Sequence, residues 1–192
     1  MRSLEDILKQ TRMVDNSKGK AGNLHGLVDL INHVGGLEGK RGLEVGCYRG
    51  VSSEVFLYHK PAKMDFVDVW GKHKDYKDTN WIGKIEWGKI KNQFEERIKP
   101  FHETTDITVY HNFSHVVAQD IPDNTYDFIY IDGEHTYKAM KQDIESWYPK
   151  LVKGGYFCGH DIDTKGVSKA MFERFDPKDI ATFSETSFAL LK

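Results

Sequence analysis

Cysteine and proline are scarce: two and five in 192 residues. Cys47 and Cys158 each fall at a predicted strand end or turn, which argues against a disulfide framework and for buried free thiols rather than a nucleophile. Long apolar runs are missing too. No stretch approaches the roughly 20 apolar residues that cross a bilayer, and the opening MRSLEDILKQ lacks the apolar core of about 7 to 15 residues of a signal peptide. The expectation is a cytoplasmic protein with no membrane partner. An excess of one charge is also absent: 27 Lys and Arg stand against 29 Asp and Glu, a net charge of -2. That removes a polyanion-binding signature, so nucleic acid is not an expected partner. There is no internal repeat and no low-complexity segment. What remains, 39% hydrophobic and 29% charged residues, is a globular composition. A chain of this length forms one domain, 1–192, burying about 70% of the surface its unfolded form exposes.

The chain is organised around GLEVGCYRG, residues 42–50. Leu43 and Val45 carry Glu44 in a short apolar strand, which breaks at Gly46, turns again at Gly50 and gives way to a helix at 51–59. Glycines in such a turn let backbone approach a ligand, and the next helix offers free N–H groups to it. An acid just before the turn suits a ligand rich in hydroxyls or positive charge. The spacing is E-x-G-x-x-x-G, with Tyr48 where a dinucleotide fold would want its middle glycine.

Around this turn strands and helices alternate. A short helix at 3–10 precedes a polar loop or lid, DNSKGKAGN, and Leu24, Leu27, Val28, Ile31 and Val34 recur at helical spacing until Gly35-Gly36. Strands are read at 41–46, at MDFVDVWG with Asp65 and Asp68, around Ile107 and Val109, at YDFIYIDG and at GGYFCGHD. YDFIYIDG is the most apolar and should be central, buried on both faces. The intervening segments are a loop at 71–83, a helix from Ile85 to Phe101 ended by Pro100, a short helix at 114–120, a long helix at 136–151 and another at 166–175. The final strands, 179–183 and 187–191, are joined by three residues, too few for a crossover helix, so they should form an antiparallel edge hairpin. The fold class is α/β: a doubly wound, Rossmann-like, seven-stranded sheet, parallel apart from that hairpin.

Ligands of open α/β sheets collect at the C-terminal strand ends. Here those ends carry Glu44 and Gly46, Asp68, Asn112 and Ser114, Asp132, and His160 with Asp161. Taken singly, each has a bland counterpart: Asp132 before Gly133 could cap the following helix, His135 could be an inert residue at its start, and Asp68 could end a strand. Trp70, Tyr76 and Trp81 could wall a ligand or pack beneath a loop; Trp147 and Tyr148 read as core.

Residues 40–192 resemble the S-adenosylmethionine-dependent methyltransferases of the seven-stranded α/β type, most closely the macrocin O-methyltransferase-like branch (methyltransferase domain family 24). LEVGCYRGVSS resembles the first motif, FVDVWG the second-strand acid motif, and YDFIYIDGEHTYKAMKQDIESWYPKLVKGGYFCGHDI the long fourth- and fifth-strand signature. The resemblance implies that Glu44, Gly46 and Gly50 line the methionine end of the cofactor, with Cys47, Tyr48 and Ser52 also cofactor-binding. Asp68 would take the ribose hydroxyls with Val69 and Trp70 beside it, and Phe113 and Ser114 the adenine, while Asp132 closes the cofactor site. It also implies a divalent cation, Mg²⁺ or another, on Asp132, His160 and Asp161, with His135 as general base. His160 departs from the carboxylate that metal-dependent relatives often carry there. The implied activity is O-methylation of a small hydroxylated molecule, a sugar or glycosylated metabolite. Residues 1–36 would form a helical cap or lid, or mediate a homodimer. Two rivals stand beside it: a cofactor- or partner-binding module without catalysis, and an NAD(P)-dependent oxidoreductase disfavoured by Tyr48 and the edge hairpin.

Overall fold

A computed structural model describes residues 3–9, 24–71 and 85–192. The strands are β1 (Arg41–Val45), β2 (Lys63–Asp68), β3 (Asp106–His111), β4 (Tyr126–Ile131), β5 (Leu151–Gly159), β6 (Ile180–Thr182) and β7 (Phe188–Leu191). The helices are α1 (Leu4–Leu8), α2 (His25–His33), α3 (Val51–Tyr58), α4 (Trp87–Ile98), α5 (Ser114–Val117), α6 (Tyr137–Trp147) and α7 (Lys165–Arg174). One seven-stranded sheet runs in the order β3-β2-β1-β4-β5-β7-β6. The first five strands pair in parallel, and β7 enters antiparallel to both β5 and β6. The expected hairpin is therefore present, and its second strand, not its first, meets the parallel sheet. A dinucleotide fold would continue in parallel beyond β5; this sheet does not.

Side chains alternate between two cores, as the twofold period of a strand requires. Phe56, Phe66, Phe94, Phe128 and Tyr130 pack in the layer shared with α2, α3 and α4, while Leu43, Ile129, Ile131, Ile144, Trp147 and Phe157 pack in the layer of α6 and α7. β4 is central and buried on both faces, with Tyr126, Ile129 and Tyr130 fully inaccessible. Where its period leaves Asp127 at the β1 end, the carboxylate accepts the Arg41 N–H at 2.7 Å. In the N-terminal segment Ile7 is wholly buried in the first layer, so α1 is packed against the domain.

Several boundaries differ from the sequence reading, among them those of the long helix and of β5. The long helix ends at Trp147 and passes through a 3-10 turn, Tyr148–Lys150, because Pro149 has no N–H to continue the ladder. β5 begins at Leu151, three residues ahead of Gly154, and its ladder with β4 is irregular between Tyr126 and Phe128, near where Gly154 takes φ 82°. The loop read at 15–23, Tyr76, Trp81 and most of the loop read at 71–83 lie outside the described residues. Among the described residues no helix is long and apolar enough to cross a membrane.

Candidate active site

The glycine turn after β1 is fixed from every side. Gly46 has φ 89°, and a Cβ there would stand 2.2 Å from the Asp132 carbonyl oxygen, so only glycine lets the turn lie against the end of β4. Its N–H donates to the Val67 carbonyl at 2.9 Å. Gly50 closes the turn at φ 77° as the N-cap of α3, with Phe94 of α4 where its Cβ would be. Arg97, also on α4, donates from Nε to the Arg49 carbonyl at 3.0 Å and from Nη1 to the buried Glu54 at 2.6 Å. Thus α4 braces the turn through both shape and charge.

Glu44 sits within this brace. It is fully buried, and its two carboxylate oxygens accept from Ser52 Oγ and Ser53 Oγ at 2.5 Å each. Its position on β1 turns it toward α3, so it anchors the first turn of that helix to the strand. Ser52 is accordingly committed to Glu44. The Cys47 thiol lies 3.8 Å from the Glu44 carbonyl and 3.7 Å from that of Val67, and burial, reinforced by Glu44 and Asp68, pushes its pKa well up. A thiol so placed is a packing group.

Asp68, at the end of β2, is half-buried and faces the same turn. Oδ2 accepts the Tyr48 N–H at 2.8 Å and Oδ1 the Trp70 N–H at 2.7 Å. Burial raises its pKa, and the N–H groups of Trp70, Tyr48 and Cys47 partly offset the rise. Three N–H donors on about four acceptor sites leave a lone pair for a hydroxyl. Trp70 is buried, its ring centroid 4.8 Å from Phe94, and its Nε1 donates to the Tyr48 carbonyl at 2.8 Å. It packs beneath the turn and holds Tyr48 at φ 49°. The Val69 carbonyl is 2.8 Å from His111 Nε2.

Phe113 and Ser114 open α5 beyond β3. The Ser114 hydroxyl donates to Asp143 at 2.5 Å and accepts from Trp147 Nε1 at 2.6 Å, both on α6. Burial lifts the Asp143 carboxyl to about 7 against the hydrogen bond from Ser114. The Ser114 side chain is thus turned into the protein. Asp143 and Trp147, four residues apart and so on one helix face, are the sequence signal for this contact.

The ends of β4 and β5 bring four titratable side chains together. His135 Nε2 is 2.9 Å from Asp161 Oδ2 and 3.7 Å from Asp132 Oδ1; His160 Nδ1 is 3.1 Å and 3.9 Å from the same two oxygens. Thr136 is the N-cap of α6, its hydroxyl accepting the Ala139 N–H at 3.3 Å. Asp132 is therefore not the helix cap, and His135 stands in the loop before it. That loop is pinned by α7, since a Cβ on Gly166 would lie 1.9 Å from the His135 carbonyl oxygen. Burial alone would lower the His135 pKa, but the Asp132 and Asp161 carboxylates outweigh it and lift it to about 10. Burial would raise Asp161; His135 and His160 instead hold it well below the usual carboxylate range.

Ligand atoms of Asp132, His135 and Asp161 all lie within 4.8 Å of one another. Two carboxylates and an imidazole at that separation fit a divalent cation with mixed oxygen and nitrogen preference. The sequence reading placed His135 outside the cation set and His160 within it; the structure puts both imidazoles on the same two carboxylates.

Residues 43–162, well over half of the chain, match a family described as a methyltransferase domain. A stretch of 46 residues is 37% identical to an uncharacterized protein of Sinorhizobium fredii, covering 24% of this chain and 5% of that protein. Among solved structures, the O-methyltransferase NovP superposes with a TM-score of 0.62 at 14% identity, over 98% of this chain and 88% of that one. Precorrin 8W decarboxylase from Methanobacterium thermoautotrophicum gives 0.60 at 12% identity, over 93% and 90%. A structure from Galdieria sulphuraria gives 0.50 at 14% identity over 70% of this chain, which spans only 44% of that one. At such identities the likeness is one of fold.

Proposed function

The chain belongs to the methyltransferase-domain family, and from that premise we propose that it moves a methyl group from S-adenosylmethionine to a hydroxyl of a small molecule, with a divalent cation at Asp132, His135 and Asp161. The observation that carries this reading is the contact between its two halves. The Gly46 turn touches the Asp132 backbone, so a cofactor laid over the turn, its ribose on Asp68, ends beside the acidic cluster. The residues fit such a cofactor: a turn that Gly46 lets lie against the end of β4 and a half-buried carboxylate at Asp68 with an acceptor site left for a hydroxyl.

Methyl transfer from a sulfonium is an in-line displacement. Holding the hydroxyl oxygen, methyl and sulfur in line can remove about 7–11 kcal/mol of the barrier. The brace of α4 on the turn and the pinning of the His135 loop by α7 supply rigid walls on both sides. The hydroxyl must also lose its proton. Asp132, His135 and Asp161 would hold a divalent cation, which would supply the Lewis acidity that eases loss of the proton from a neighbouring hydroxyl. His135 Nε2, whose neighbours are the Asp161 and Asp132 carboxylates, would be a ligand of that cation, and the proton would leave to solvent. We place the protein in the macrocin O-methyltransferase-like branch with a sugar or glycosylated acceptor. The long β4–β5 signature supports the branch, and the likeness to a structure described as an O-methyltransferase supports a hydroxyl as the acceptor group.

The test is transfer of a labelled methyl group to a panel of hydroxylated sugars and glycosides, with added Mg²⁺ or Mn²⁺ and with chelator. The expected result is labelling of one acceptor class that chelation suppresses. His135→Ala should lower turnover by roughly 10² to 10⁴ while cofactor affinity stays near wild type. Cofactor binding without transfer to any hydroxyl would favour a non-catalytic binding module instead.

A further inference from the structure

The turn between β6 and β7 reaches back to the acidic cluster. Thr186 has φ 68° and Asp161 φ 58°, and the two are bonded to each other. The Asp161 N–H donates to Thr186 Oγ1 at 3.2 Å, and the Ile162 N–H donates to the Thr186 carbonyl at 3.2 Å. A β-branched residue in the left-handed region is an outlier, because its Cβ crowds the carbonyl that follows. Strain of this kind persists only where the surroundings over-determine it, and it gathers at functional sites.

The surroundings here do so. Across the turn the Phe183 N–H donates to the Ser187 carbonyl at 2.8 Å. From the other side α2 presses on it, for a Cβ on Gly26 would stand 1.8 Å from the Ser184 carbonyl oxygen. Beyond Asp161, Thr164 donates to the Asp161 carbonyl through both its N–H and its hydroxyl, each at 2.9 Å. Thr186 and Thr164 therefore hold the Asp161 backbone at its N–H and its carbonyl. With both fixed, the carboxylate is directed to His135 at 2.9 Å and His160 at 3.1 Å.

We propose that Thr186 is a positioning residue that sets the Asp161 carboxylate for divalent-cation binding; this rests on reading Asp132, His135 and Asp161 as the cation set. Its hydroxyl fixes the backbone from which a ligand projects, a role whose loss typically weakens metal binding about 10- to 100-fold. A glycine at residue 186 would relax the conformation but would remove the hydroxyl.

Two variants of the full chain separate the hydroxyl from the branching methyl. Thr186→Val keeps shape and branching but deletes the acceptor; Thr186→Ser keeps the acceptor and the Cβ but removes the branching methyl. Amide hydrogen exchange at Asp161 reads the contact, and Mn²⁺ titration followed by electron paramagnetic resonance reads the site. In Thr186→Val the Asp161 amide should exchange at least about tenfold faster and Mn²⁺ should bind about 10- to 100-fold more weakly, while Thr186→Ser stays within about threefold of wild type in both. Unchanged Asp161 exchange in the valine variant, or equal impairment of the serine variant, would overturn the proposal. So would Mn²⁺ affinity indifferent to the valine. If the wild-type protein binds no Mn²⁺, the cation reading fails and the proposed role falls with it, whereas the exchange arm still decides whether Thr186 holds the Asp161 backbone.

Discussion

The two halves of the site are held by different forces. Around the glycine turn, hydrogen bonds and shape complete one another within the protein: Glu44 with Ser52 and Ser53, Asp68 with three N–H groups, Gly46 and Gly50 against neighbouring backbone and ring. At the ends of β4 and β5 the binding forces are charges, two carboxylates and two imidazoles that satisfy one another in part and remain partly exposed. The first half is a preformed cradle whose geometry needs no ligand. The second responds to anything that changes charge, whether a proton, a cation or a polarised hydroxyl. A methyltransferase needs both: rigid placement of the donor and an adjustable charge beside the acceptor.

The sharpest way to break this contrast is at the contact between the halves. Gly46→Ala places a Cβ against the Asp132 carbonyl at a positive φ, and should cost about 2–4 kcal/mol of stability from overpacking and left-handed strain together. Chemical denaturation would show it; a variant as stable as wild type would mean the turn and β4 are not in fixed contact. Glu44→Ala comes next. It strands two buried hydroxyls, although helical serines can turn back to a carbonyl, so a loss of about 2 kcal/mol is expected, with weaker cofactor binding as a consequence of a loosened α3. Weaker cofactor binding at unchanged stability would instead make Glu44 a direct ligand.

A smaller effect distinguishes the charged half. The His135 pKa is raised to about 10 in the folded state against about 6.5 unfolded. Its contribution to stability is therefore fully present below about pH 6.5 and is lost as the pH rises through about 10. Asp161, held below its ordinary value, contributes above that ordinary value and loses its contribution only as acid protonates it in the fold. The melting temperature of the ligand-free protein should accordingly fall from pH 6.5 toward 10, and His135→Gln should flatten that decline. An unaltered slope in the variant would place the titrating group elsewhere.

Much of this was legible in the sequence, for reasons that differ by residue. The strands and the edge hairpin follow from apolar runs and a three-residue connection, which are local. Asp68, Asp132 and Asp161 follow from the rule that strand ends face the cleft. What local pattern could not convey is direction. Glu44 and Ser114 are at the expected positions, yet their side chains point to α3 and α6: Glu44 to serines of the next helix, and Ser114 to partners 29 and 33 residues along the chain. The nearness of His135 to Asp161 depends on α7 approaching closely enough that residue 166 must be glycine, a long-range packing fact. The strain at Thr186 has no sequence signature at all. Pro149 did carry a signal for the early end of α6.

The central claim is that the glycine turn and Asp68 hold S-adenosylmethionine, and calorimetric titration of wild type and Asp68→Ala tests it most directly, with NADH as the control ligand. Binding of S-adenosylmethionine alone by the wild type, weakened roughly tenfold or more when the carboxylate and its hydrogen bonds to the ribose are removed, is the predicted result. No heat with S-adenosylmethionine at two temperatures, or equal binding of NADH, would contradict it.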